Sequence, residues 1–205
     1  MNIALDIGSV LCRVDLSPFF KAVHNEFGLL EKIALTVVKP AWHDIGITDI
    51  KTDFYDFINT RGMYGSNECQ RRIDRIYDIW MNEVVHPIPE IVTVLEELVT
   101  RGRVALLSNI GSDHAKVIRE KFPPVFNKCI QHFSCEVGAR KPSKLFFQSF
   151  LMDEPHFHRS IFVDDLIENV EMAKKCGFRA VRFNINDFSD DALAAEKFRQ
   201  IVMDC

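Results

Sequence analysis

Asp6, Ser108, Lys141, Asp164 and Asp165 are far apart in the chain, yet each stands just past an apolar run or just before a helical one. Asp6 ends the run that begins at Met1 and enters a turn at Gly8. Asp164-Asp165 end a second run, Ile161-Phe162-Val163. Strand ends at such turns are where open α/β sheets place ligand chemistry. Acidic groups gathered at one point repel each other and are costly to bury unless a cation sits among them. The pattern therefore points to a carboxylate nucleophile assisted by a metal ion.

Taken singly, each signal has an ordinary reading. Asp6 could be a turn former at a strand end, and Asp164-Asp165 a solvated helix start, where acids are favoured. Ser108-Asn109 could be a helix cap, and Lys141, in Gly138-Ala139-Arg140-Lys141-Pro142, a surface lysine. What distinguishes them is joint placement. In a doubly wound sheet the C-terminal strand ends share one edge, so all of these groups could meet in one crevice.

The elements that must position them alternate from Pro87 onward. A helix over Pro89 to Arg101, ended by Gly102 as a natural C′ residue, precedes the buried strand Val104 to Leu107. Strands are expected at Cys129 to Phe133, Ile161 to Val163 and Phe178 to Phe183. Helices are expected up to Phe122, over Pro142 to Met152, over Leu166 to Cys176 and over Asp191 to Val202. Strands alternating with helices imply a parallel sheet covered on both faces. Between Asp15 and Val85 no strand is apparent. Ser17, as N-cap, and Pro18 open a helix, followed by helices at Leu29 to Val38, Thr52 to Asn59 and Cys69 to Asn82. The expected architecture is a Rossmann-like, five-stranded α/β core (1–15 and 86–205) with an inserted all-α helical cap (16–85).

Composition narrows the setting. Hydrophobic residues make up 47% and charged residues 26%, as in an ordinary soluble globular protein. A net charge of −4 argues against a nucleic-acid partner, which a basic surface would recruit. No run approaches the ~20 apolar residues of a membrane helix, so no membrane partner is expected. The six cysteines show no metal-binding spacing, and reduced, mostly buried thiols fit the cytoplasm.

In the order and kind of its four motifs the chain resembles the haloacid dehalogenase-like hydrolase superfamily, in the branch of capped phosphatases. Asp6-Ile7-Gly8-Ser9-Val10 is similar to the D-x-G-N-V variant found among its bacterial sugar-phosphate phosphatases. The resemblance implies a phosphatase acting on a small phosphorylated metabolite, a sugar phosphate or nucleotide, through an aspartyl-phosphate on Asp6. It implies that Ser108 and the amide of Asn109 bind the phosphoryl oxygens and that Lys141 holds Asp6 and the phosphoryl group. It also implies Mg²⁺ held by Asp6, the Gly8 carbonyl, Asp164 and Asp165. Charge counting agrees: three carboxylates and a phosphate dianion against one lysine call for a hard dication with oxygen ligands.

One position departs from that pattern. Such phosphatases usually carry a second aspartate two residues after the nucleophile as general acid and base, and here that residue is Gly8. Asp15, near the core–cap junction, is one candidate replacement and a cap residue or the substrate itself is another, while a catalytically impaired, phosphate-binding or regulatory homologue is the alternative reading. Dehalogenase chemistry on the same scaffold needs no metal and lacks the acid pair, so Asp164-Asp165 speaks against it. Phosphonatases need a cap lysine, and none of Lys21, Lys32, Lys39 and Lys51 has a distinctive context. In the cap, the glycine-broken segment Trp42-His43-Asp44-Ile45-Gly46 offers His43 and Asp44 as contacts to the leaving group, or simply a helix–helix connection. Asn169, one turn past the acid pair, is expected to position its loop. The oligomeric state is open.

Overall fold

A computed structural model describes residues 1–28 and 67–203. All five expected strands form, in one parallel sheet: β1 (Asn2–Leu5), β4 (Arg103–Ser108), β5 (Ile130–Phe133), β6 (Ile161–Asp164) and β7 (Arg179–Arg182). Their order across the sheet is β5-β4-β1-β6-β7, with β1 in the centre. The register aligns the tips. Leu5 pairs with Leu106 of β4 on one side and Val163 of β6 on the other, so Asp6 emerges beside Asp164 and close to Ser108. The Asp6 amide continues the ladder to the Val163 carbonyl at 2.9 Å.

Because side chains alternate across a strand, each strand feeds two cores. Ile3, Leu5, Val104, Leu106 and Val163 face one side, where α3 (Pro89–Arg101) and α8 (Asp191–Met203) pack through Ile91, Leu95, Leu98 and Phe198. Ala4, Ala105, Leu107 and Phe162 face the other. There α6 (Lys144–Asp153) brings Phe146, Phe147 and Phe150, with Phe157 edge-on to Phe150 and Phe178 edge-on to Phe147 and stacked against Phe150. Small alanines on the strands leave room for these rings. Also on connections between the sheet's strands are α4 (Ser112–Lys121), the short α5 (Ser134–Val137) and α7 (Ile167–Lys175).

Two further helices, α1 (Ser17–Phe27) and α2 (Asn67–Glu83), pack on each other around a third apolar cluster of Phe19, Val23, Ile73, Ile76 and Trp80. Both are amphipathic, as their sequence spacing implies. The helices expected at Leu29 to Val38 and Thr52 to Asn59 lie outside the described residues. Among the described residues no helix is long and apolar enough to cross a membrane.

Three local expectations need correction. A second, two-stranded antiparallel sheet joins β2 (Cys12–Val14) to β3 (Val85–Pro87), tying the outgoing and returning chain together, with Cys12 buried in the first core. Its three-residue strands are too short for alternation to register. Ser17 does not cap α1: the helix starts at Ser17, and Asp15 Oδ1 accepts the Ser17 amide at 2.9 Å. Gly102 follows α3 without a left-handed turn, since its φ of 178° is extended backbone. It is glycine for a different reason: a Cβ there would lie 1.9 Å from the Met1 carbonyl oxygen.

Candidate active site

The strand register brings Asp6 and Asp164 to adjacent tips, and Lys141 bridges them. Its Nζ donates to Asp6 Oδ1 at 2.7 Å, to Asp164 Oδ2 at 2.6 Å and to the Leu107 carbonyl at 2.7 Å. The side chain is 1% exposed, far from the surface position that a lone lysine before proline suggests. Burial opposes its charge, but Asp164 and Asp6 outweigh that and hold the ammonium above its ordinary pKa. Asn109 fixes the segment that delivers it. Its amide donates to the Lys141 carbonyl at 2.9 Å, and its Oδ1 accepts the Lys141 amide at 2.8 Å. The Asn109 side chain is thus committed to placing Lys141.

Asp164 is fully buried, with its oxygens engaged: Oδ1 accepts from the Leu166 amide and Asn169 Nδ2, both at 2.9 Å. Asn169 therefore orients the acid loop as expected. Carboxylate oxygens of Asp6, Asp164 and Asp165 lie within 4.8 Å of one another. At such distances like charges repel by about 4 kcal/mol at an effective dielectric of about 20. Burial raises the pKa of Asp6, against the pull of Lys141. Burial, then Asp6 and Asp164, push Asp165 up to about 7. One cation is too few for three acids.

The donor set fits a divalent hard cation. Besides three clustered carboxylates, Asn169 Oδ1 is buried and accepts no hydrogen bond. Oxygen atoms left without a proton donor are what such an ion, or its waters, satisfies. Gly8 follows Asp6 in a tight loop in which the Leu11 and Cys12 amides both bond the Ile7 carbonyl, at 2.9 and 3.0 Å. Ser9 adopts the left-handed region (φ 55°) there. Ser108, 3% exposed at the tip of β4, completes the group, and all of these except the more deeply set Asp164 line one cavity with Asp6.

Asp15 stands apart. It does not line that cavity, and its hydrogen bonds to Ser17 hold its pKa below the ordinary carboxylate value, which disfavours service as a proton donor. His43 and Asp44 lie outside the described residues. Sequence reasoning passed over His114 and Trp80, which also line the cavity, as do Arg140 and Leu166. Trp80 reads as plain core on its helix face, and His114 carries no motif, so only their convergence in space reveals them.

No family model matches the chain, and no curated protein matches it by sequence. Solved structures do match it. A predicted haloacid dehalogenase-like family hydrolase from Porphyromonas gingivalis superposes with a TM-score of 0.74 at 18% identity, covering 96% of this chain and 95% of that one. A haloacid dehalogenase family enzyme from Bacteroides thetaiotaomicron, solved in complex with magnesium and inorganic phosphate, gives 0.69 at 20% identity over 92% and 96% of the two chains. An L-2-haloacid dehalogenase gives 0.61 at 15% identity over 89% and 83%. Identities this low carry architecture alone, and it is one architecture in all three: the chain has the fold of the haloacid dehalogenase-like hydrolases.

Proposed function

We propose that this protein is a Mg²⁺-dependent phosphatase that hydrolyses a small phosphomonoester through an aspartyl-phosphate on Asp6. The observation that carries the reading is Lys141 Nζ, buried and bonded to both Asp6 and Asp164, with Asp165 completing the acid cluster. Dehalogenation of an apolar carbon needs no such cluster; transfer of a dianionic phosphoryl group does. The magnesium and phosphate bound by the Bacteroides enzyme of the same fold support the assignment.

In this reading one Asp6 oxygen attacks phosphorus, the bond from phosphorus to the leaving oxygen breaks, and water later attacks the same phosphorus to free the carboxylate. Lys141 keeps Asp6 ionised and aimed, and adds positive charge beside the transferring group. The Ser108 hydroxyl and the Asn109 backbone amide donate to phosphoryl oxygens. Asp6, the Gly8 carbonyl, Asp164 and Asp165 would hold Mg²⁺, which when bound supplies the positive charge the acids and phosphate require. Residues 16–85 form the cap, with His43 and Asp44 as leaving-group contacts, and closure over substrate excludes water. The sequence resemblance suggests a sugar phosphate or nucleotide as substrate, and the reduced, mostly buried thiols suggest a cytoplasmic setting.

A second reading, a phosphate-binding homologue with little turnover, is favoured by Gly8, where a general acid and base is missing. One comparison separates the two. Hydrolysis of acetyl phosphate should require Mg²⁺, cease with chelator and be lost in Asp6→Asn. Equal rates for wild type and Asp6→Asn would remove the catalytic reading.

A further inference from the structure

The cavity that holds Asp6 extends well beyond the acid cluster, to about 370 Å³, room for a ring-sized body as well as a phosphate. Its polar lining gathers around the acid cluster: Asp6, Ser9, Ser108, Asn109, Lys141, Asp165 and Asn169, with Arg140 adjacent in sequence to Lys141. The rest of the described wall is largely hydrocarbon. Trp80 and Met81 come from α2, Val85 from β3, Val117 and Ile118 from α4, and Phe122 from just past it. His114 is the polar exception, and it is turned to its neighbour. Its Nε2 donates to the Trp80 carbonyl at 3.2 Å, and its ring lies 5.2 Å from the indole. Burial lowers its pKa below the ordinary imidazole value.

A wall of this kind sorts leaving groups by chemistry. A polyol placed against it exchanges water for carbon at each hydroxyl and loses those hydrogen bonds. A ring or branched chain gains by leaving water. We infer that the substrate is a phosphate monoester whose alcohol carries an apolar, ring-sized body, and that α2 and α4 form its leaving-group pocket. The inference rests on the phosphatase reading and narrows it away from sugar phosphates.

The test compares benzyl phosphate with glucose 6-phosphate on the Mg²⁺-loaded protein. Both are esters of primary alcohols, so their intrinsic reactivities are close, and acetyl phosphate reports the phosphoryl chemistry with almost no leaving-group body. The expected kcat/KM for benzyl phosphate exceeds that for glucose 6-phosphate at least about tenfold, the worth of burying one small ring. Val117→Gln, which puts an amide into the wall from a half-buried helical position, should shrink that ratio at least about threefold. A binding readout accompanies the rates: benzylphosphonate should raise the melting temperature more than methylphosphonate at equal concentration. Acetyl phosphate hydrolysis with glucose 6-phosphate equal or preferred overturns the pocket assignment and leaves the phosphatase standing. So does an unchanged ratio in Val117→Gln, or equal shifts by the two phosphonates. Failure to hydrolyse any of the three compounds overturns the phosphatase reading itself, and the pocket assignment with it.

Discussion

At Lys141 a single ammonium, with almost no access to water, holds two of three clustered acids. Removing one partner of a buried ion pair leaves charge with neither solvent nor counter-charge, typically costing about 3–5 kcal/mol. Lys141→Met should therefore destabilise the metal-free protein by that order in urea unfolding under chelator, besides abolishing turnover. An unchanged midpoint would mean that the acids are neutral without the lysine. Gly8 makes the opposite kind of position. Its φ is not left-handed, and an added Cβ would meet only the Val14 side chain, at an ordinary 3.5 Å. Nothing steric enforces glycine there. Gly8→Asp should place a carboxyl where the resemblance to capped phosphatases implies a general acid, and under the phosphatase reading kcat should rise toward the ~10²–10⁴-fold that such catalysis contributes. A fall in kcat at intact stability would show that the turn uses glycine for another purpose.

At the scale of elements, one strand start and one buried imidazole make separable predictions. The amide of Arg103, opening β4, bonds the Met1 carbonyl at 3.0 Å, and Gly102 lets that carbonyl approach. Gly102→Ala drives a methyl into backbone and should cost about 1–3 kcal/mol in denaturant unfolding. His132 of β5 is buried against Phe146 and Phe150, its Nε2 donating to the Phe146 carbonyl at 3.1 Å. Burial lowers its pKa below the ordinary 6.5, so below that pH the unfolded chain takes up the proton more readily than the folded one. Stability is full above about pH 6.5 and declines as pH falls toward the folded pKa. His132→Gln should lose less stability than wild type between pH 7.5 and 5.5; parallel losses would assign the acid sensitivity elsewhere. β1, β4 and β6 were legible because each centres on a continuous apolar run, whereas β5 and β7, with Gln131 and His132 in one and Arg179 and Arg182 in the other, were legible from their place in the alternation of strands and helices. The β2–β3 pair was not, because its three residues per strand carry no period. Gly102 was rightly read as special but for the wrong cause, since a close approach from residue 1 leaves no trace in local sequence. The acid loop could be read from Asp164-Asp165, whereas the role of the Asn109 side chain, clamping a segment 32 residues away, exists only in three dimensions.

Across the whole molecule, the sheet that unites the two large cores is also what forces the acids together. β1 and β6 are hydrogen-bonded neighbours buried on both faces, so Asp6 and Asp164 cannot separate without unpairing the centre of the fold. Repulsion at the tips is therefore opposed by apolar burial throughout the core, and the metal-free state carries it as a standing destabilisation. A cation that binds the native cluster and not the unfolded chain adds stability in proportion to occupancy, about 2.7 kcal/mol at one hundred times its Kd. Asp165 is the acid best suited to expose this balance, since among the described residues its side chain forms no salt bridge and meets Asn184 Nδ2 at a long 3.5 Å. Asp165→Asn removes one repelling charge without vacating space. In chelator the variant should melt above wild type, because the strain at the strand tips is relieved. In millimolar Mg²⁺ the order should reverse, because wild type gains the linkage term and the variant loses most of it. Calorimetry on both proteins in both buffers gives four melting temperatures, and the crossing is the signature. If the variant melts lower in chelator as well, Asp165 is held by favourable contacts and the acids are not in conflict. If Mg²⁺ stabilises both proteins equally, the ion binds elsewhere.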